Sequence, residues 1–121
     1  MPRQLITTTS QNHIRTVTIA SGASLSDAVK IPLDVDLIGL VMPAAWDTAD
    51  LTLQGSWDGT TYGNIHTQAG TEVTIVAAAG QAIYLADADI RAYPYLKFRS
   101  GPSATPVNQT AARTLTLITA P

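Results

Sequence analysis

Residues 51–75, LTLQGSWDGTTYGNIHTQAGTEVTI, constrain the fold more than any other stretch of this chain. Leu51, Leu53 and Gly55 alternate with Thr52, Gln54 and Ser56, the two-residue period of a strand that buries one face, and Trp57 continues the apolar parity. Asp58-Gly59 then ends the strand. Asp hydrogen-bonds its local backbone and Gly adopts positive φ without a Cβ clash, so the pair predicts a tight turn over 58–60. Residues 62–67 are expected to return, Gln68-Ala69-Gly70 to turn again, and 71–76 to form a third strand with Val73 and Ile75 inward. Three short strands in series form a meander, and a meander needs a second layer to cover its apolar face.

The remaining segments supply that layer. Residues 13–20 read as a strand with Val17 and Ile19 on one side and Thr16 and Thr18 on the other, closed by a Ser21-Gly22-Ala23-Ser24 turn. Residues 25–33 alternate Val29, Ile31 and Leu33 with Lys30 and Pro32, and the proline, tolerated only at an edge or a bulge, makes them an edge strand or a ragged one. The run LIGLVM at 37–42 is apolar on both parities, as in a central strand that is covered on both faces, or buried on one and capped by a partner on the other. Residues 44–50 are a loop with room for one helical turn. The alanines at 77–79 are too few to nucleate a helix. Residues 81–85 place Ile83 and Leu85 inward, and 86–92 fit a single helical turn capped by Asp87. Residues 95–100 turn Leu96 and Phe98 inward and Tyr95, Lys97 and Arg99 outward, and 113–119 close the domain with Leu115 and Leu117 inward. About eight short strands with frequent turn signals predict one antiparallel β-sandwich, jelly-roll-like, over 13–121. Residues 1–12 are polar and aperiodic, and read as an N-terminal arm or edge segment: a frayed end, or an arm that orders on a neighbouring subunit.

Composition excludes several function classes. Only 13% of the 121 residues are charged, and 17 Thr and 18 Ala take up the surface that charges usually occupy; the threonines suit solvent-facing strand positions. A net charge of -2 with seven scattered basic residues offers no track for a phosphate backbone, so no nucleic-acid partner is expected. The absence of cysteine excludes disulfides and thiolate metal sites. No apolar run is long enough to span a bilayer, and MPRQLITTTS lacks the apolar core of a signal peptide, so synthesis in the cytoplasm without membrane contact is expected.

The chemistry-bearing residues do not assemble into a catalytic pattern. His13 and His66 lie in strand-like contexts without a carboxylate or second histidine at ligand spacing. Asp34, Asp36, Asp87 and Asp89 are acidic enough for a calcium site, but their positions equally suit caps and solvated turns. Trp46, Trp57 and Tyr62 would make a platform for a sugar ring if two shared an exposed face; the inward parity of Trp57 argues for packing instead. Ser56-Trp57-Asp58-Gly59 lacks the G-x-S-x-G pattern of a nucleophile elbow. No enzymatic activity, metal or cofactor is expected, nor a small-molecule ligand.

Residues 17–29 (VTIASGASLSDAV), 41–46 (VMPAAW), 51–59 (LTLQGSWDG), 95–101 (YLKFRSG), 105–109 (TPVNQ) and 113–117 (RTLTL) together resemble small structural proteins of tailed-phage and prophage genomes. The resemblance covers most of the chain from about residue 15 onward. It implies a virion protein, most like a capsid decoration or cement protein, present in many copies on the capsid surface and bound to the major capsid protein. It supplies no catalytic motif. Two other placements fit a small Thr- and Ala-rich sandwich: a carbohydrate-binding module on a tail fibre, and a tail or baseplate component. For lattice contact the residues of choice are Leu5 and Ile6, an apolar anchor in a polar arm, and Pro102 and Pro106, which stiffen an exposed loop and reduce the entropy lost on docking.

Overall fold

Burial alternates along Ile14–Ile19 and Arg113–Ala120, whereas Leu51–Ser56 and Tyr95–Ser100 are buried on both faces, in the computed structural model of the protein, which describes residues 13–85 and 90–121. The strands are β1 (Ile14–Ile19), β2 (Val29–Lys30), β3 (Asp36–Val41), β4 (Leu51–Ser56), β5 (Gly63–Asn64), β6 (Thr74–Ile75), β7 (Ala82–Tyr84), β8 (Tyr95–Ser100) and β9 (Arg113–Ala120). They form two antiparallel sheets. The first has the order β1-β9-β3-β7; the second has the order β2-β8-β4-β5, with β6 also paired to β4.

The pairs β1·β9, β2·β8, β3·β7 and β4·β5/β6 are nested like the rungs of one long hairpin. That hairpin is rolled so that β9 also meets β3 and β8 also meets β4. This is the strand order of a jelly roll, the antiparallel sandwich that the sequence predicts. Antiparallel pairing gathers the β1–β2, β3–β4, β6–β7 and β8–β9 loops at one end of the sandwich. The β2–β3 and β4–β5 loops gather at the other, where the chain also enters β1. A six-residue strand separates the two ends by about 20 Å.

The core lies between the sheets. Val17, Ile19, Leu37, Leu51, Leu53, Leu96, Phe98, Leu115 and Leu117, all expected inside, are buried there. Val73, Ile75, Ile83 and Leu85, also expected inside, are only partly buried, because they stand on or beside the shortest edge strands, β6 and β7. Val29, Ile31, Leu40, Met42, Trp46, Ile65, Ala77 and Ile90 complete the core. Leu40 enters it because β3 shifts register between Leu37 and Gly39, which turns Ile38 outward and Leu40 inward.

Other expectations need correction. Trp57 keeps the inward parity of β4 but is 74% exposed, since it stands one residue beyond the strand, where the facing sheet does not cover it. Trp46 is the packed tryptophan, its indole N–H donating to the Ala49 carbonyl at 3.0 Å. Arg99 lies on the outer side of β8 as expected, yet it is buried: Thr52 Oγ1 accepts from its Nε at 3.0 Å and Glu72 from its Nη2 at 3.3 Å. Residues 44–50 form bends rather than a helical turn, and the expected cap at Asp87 falls outside the described residues.

Polar side chains lock the loop end. Gln109 has no exposed surface, and its carboxamide joins the β8–β9 loop to the β3–β4 loop and to the strands β8 and β9. It accepts from the Asp47 backbone N–H (2.8 Å) and from Arg113 Nε (3.1 Å), and donates to the Asp47 carbonyl (3.0 Å) and Ser100 Oγ (2.7 Å). Arg113 Nη2 reaches Asp47 Oδ1 at 2.6 Å. Two substitutions measure these contributions in denaturant titrations. Leu53→Ala, at a site with no exposed surface, is expected to cost about 2–5 kcal/mol. Gln109→Leu is expected to cost a comparable amount, at about 1–3 kcal/mol for each buried group it leaves unpaired.

Candidate functional site

Two surfaces of the sandwich depart from an ordinary solvated face. The first is the outer side of the β1-β9-β3-β7 sheet. Registers Ile14↔Ile118, Ile118↔Gly39 and Gly39↔Tyr84 place these residues in one row across all four strands; Thr16, Thr116, Val41 and Ala82 form the next, and Thr18 pairs with Thr114 in a third. No charged side chain stands in these three rows. Ile14, Ile38, Val41 and Tyr84 are 47%, 43%, 40% and 83% exposed, and the glycine at the centre leaves a shallow depression of about 230 Å³ between Ile38, Tyr84 and Ile118. The apolar outward parity of the 37–42 run is thus left uncovered.

The second surface is the β4–β5 turn. Asp58 Oδ1 accepts from the backbone N–H groups of Thr60 (2.8 Å) and Thr61 (2.9 Å) and from Ser56 Oγ (2.9 Å), while Ser56 Oγ accepts from the Gly59 N–H (2.9 Å). Gly59 has φ of 81°, which a side chain would strain, and the Tyr95 ring closes over it. The turn predicted at 58–60 is therefore formed and rigid. It presents Trp57 beside a groove of about 240 Å³ lined by Trp57, Thr61, Tyr62, Asn64 and Tyr93 over a floor of Gly55, Gly63 and Ile65. Tyr93 can lie across Gly55 because a Cβ there would sit 2.7 Å from its ring.

The outer side of the second sheet is polar and carries Lys30 and Lys97, which form no ion pair among the described residues. Lys97 lies 4.4 Å from the Tyr62 ring centroid and Lys30 lies 5.7 Å from that of Tyr95. Three arginines are paired with acids: Arg91 with Asp36 (3.1 Å), Arg99 with Glu72 (3.3 Å) and Arg113 with Asp47 (2.6 Å).

The sequence-selected residues scatter over this frame. Leu5, Ile6, Asp87 and Asp89 lie outside the described residues. Pro102 and Pro106 are exposed in the β8–β9 loop, at the end opposite to the entry of the chain into β1. That loop is tied down by the Gly101 N–H to the Asp50 carbonyl (2.7 Å) and the Ser103 N–H to Glu72 Oε1 (3.1 Å). Asp34 is exposed and Asp36 is engaged by Arg91. His66 is exposed, with Nδ1 3.1 Å from the Asn64 carbonyl, and His13 is half-buried at the start of β1. Among the described residues no three His, Asp or Glu side chains gather in a way that could hold a metal ion. Trp57 and Tyr62 share one groove and Trp46 is elsewhere, in the core. Sequence reasoning missed Tyr93 and Asn64, because only the strand register brings them to Trp57. The one local signal was the pair of glycines, Gly55 and Gly63, that face each other across β4 and β5.

The chain matches no protein-family model, no curated protein and no solved structure.

Three carboxylates are held below their ordinary pKa. For Asp47 the cause is the Arg113 hydrogen bond, and for Asp58 the backbone N–H groups of Thr61 and Thr60. For Glu72, burial pushes upward but the hydrogen bonds from Ser103 and the charges of Arg99 and His66 outweigh it. A carboxylate depressed in the folded state contributes stability above its unfolded pKa and loses it as pH falls through the folded value. The unfolded values are 3.8 for the aspartates and 4.5 for Glu72. The melting temperature is therefore expected to hold level from neutrality to about pH 5 and to fall below that. Asp47→Asn is expected to flatten the fall in a pH series of thermal melts.

Proposed function

We propose that this chain is a structural protein of a tailed-phage virion, a capsid decoration or cement protein that binds the major capsid protein lattice and stabilises the head. The observation that carries this reading is the run of three uncharged rows on the outer face of the first sheet. Exposed Ile and Tyr side chains beside two rows rich in threonine are costly to leave in water and suit a partner's apolar surface. Leu5 and Ile6, which lie outside the described residues, would supply a further lattice contact, and the described residues enter β1 at the edge of that face. Pro102 and Pro106 stand about 20 Å away at the other end.

A cement protein must touch more than one lattice subunit, and two contact regions at opposite ends of a rigid sandwich meet that requirement. Each contact can be weak, because many copies on a closed shell add through avidity. The resemblance noted in the sequence supports the same assignment. The function is one of binding rather than catalysis, carried out on the capsid surface after synthesis in the host cytoplasm.

Deleting residues 1–9 is expected to leave the domain folded and to lower its occupancy on purified capsids. Tyr84→Asp, which puts a charge into the apolar row at an 83% exposed site, is expected to do the same. Unchanged occupancy in both variants would overturn the reading. So would particle images that place the copies on the tail or baseplate instead of the head.

A further inference from the structure

We propose that the groove between Trp57, Tyr62 and Tyr93 binds a pyranose ring of an uncharged carbohydrate. A sugar ring has an apolar C–H face and a rim of hydroxyls, so its site needs aromatic surface beside hydrogen-bonding groups that the protein does not use itself. The groove has both. Trp57 and Tyr93, which line it beside Tyr62, are 74% and 37% exposed. Trp57, Thr61 and Asn64 line the groove, and the Trp57 indole N–H, the Thr61 hydroxyl and the Asn64 carboxamide bond to no other described residue.

Three further features select this ligand class. No ionisable carboxylate, amine or guanidinium lines the groove, which suits a neutral ligand. Its volume of about 240 Å³ falls just below the roughly 300–1,000 Å³ typical of sites for drug-sized molecules, room for a ring or two but not for a peptide segment. The floor is open because Gly55 and Gly63 face each other across β4 and β5. A Cβ at Gly63 would meet nothing within 4 Å, so the space above it belongs to no part of the fold.

The site is also preorganised. Asp58 holds the turn with three hydrogen bonds, Tyr95 packs on Gly59, and Lys97 fixes Tyr62 by sitting 4.4 Å from its ring centroid. Trp57 is thus displayed on a rigid support instead of folding back onto the core, and little entropy is lost when a ligand stacks on it. A tryptophan so exposed on a fixed turn is the kind of anchor that dominates binding. The inference is independent of the lattice reading, since the groove and the uncharged sheet face are different surfaces.

Saturation-transfer NMR on the purified 121-residue chain tests it, with neutral trisaccharides of glucose, galactose, mannose and N-acetylglucosamine at millimolar concentration as probes and a sialylated and a uronic-acid trisaccharide beside them. Transfer to the ring protons of at least one neutral probe is expected. Trp57→Ala should weaken that binding at least about tenfold, and Gly63→Leu, which fills the floor without touching the fold, should abolish it. Both variants are expected to keep the parental melting temperature; should Trp57→Ala unfold, Gly63→Leu decides alone. Absence of transfer from every probe overturns the proposal, as does binding that survives Gly63→Leu. Binding restricted to sialylated or uronic-acid sugars and lost with Lys97→Gln overturns it as well, and loss of capsid occupancy by Trp57→Ala without sugar binding assigns the groove to the lattice instead.

Discussion

The structure depends on the burial of two facing rows of aliphatic side chains, one from β4 and β8 and one from β3 and β9. Leu53 lies opposite Phe98 and Gly55 opposite Leu96 in the second sheet, and Leu40 lies opposite Leu117 in the first. Partners in both sheets come from distant parts of the chain, so no single hairpin can hold its apolar face dry before the roll closes. That constraint explains why the edge strands can shrink to two or three residues. β2, β5, β6 and β7 add little area of their own, and they persist because the four central strands present a finished inner surface for them to extend.

A chain with so few charges must still close the loop end of the sandwich, and it does so with polar side chains that are fully engaged. Gln109 and Ser100 have no exposed surface, and Thr52 passes a hydrogen bond from Arg99 to the Gly101 carbonyl at 2.7 Å. In a low-dielectric setting such groups stabilise when satisfied and destabilise when any partner is lost. No buried side-chain nitrogen or oxygen among the described residues lacks a partner. The ends therefore differ in kind. The β8–β9 end is tied together by polar groups, whereas the β4–β5 end leaves aromatic rings and hydrogen-bonding groups facing outward.

The inward rows were legible in the sequence because a period of two marks them without knowledge of any partner: Val17, Ile19, Leu51, Leu53, Leu96, Phe98, Leu115 and Leu117 are all placed correctly by parity alone. Parity fails where coverage, not direction, decides burial. Trp57 points to the side its parity predicts, but nothing covers that position. Arg99 points outward as expected and is buried by Glu72 and the β8–β9 loop. Leu40 escaped notice because a register shift in β3 is invisible in an LIGLVM run that is apolar throughout. The aromatic groove was illegible for a similar reason. Its walls come from residues 57, 62 and 93, and only the pairing of β4 with β5 and β8 brings them together.

The two candidate surfaces follow from one feature of the sequence, the scarcity of charge. On most sandwiches the outer faces carry lysines and glutamates, which keep sheets soluble and discourage association. Here three of the arginines are drawn into pairs with Asp36, Glu72 and Asp47, and Lys30 and Lys97 lie over tyrosine rings of the second sheet. What remains for the three uncharged rows on the outer face of the first sheet is mainly threonine, isoleucine and tyrosine. Threonine satisfies water through its hydroxyl yet keeps the branched shape that packs against another surface, so a face built this way can stay in solution before assembly and lose little polar solvation when covered. The same scarcity leaves the Trp57 groove without a fixed charge, so its selectivity must come from ring stacking and neutral hydrogen bonds. A partner docking on either surface would be selected by shape more than by electrostatic attraction, as befits a chain whose net charge of -2 gives it little long-range pull on any partner.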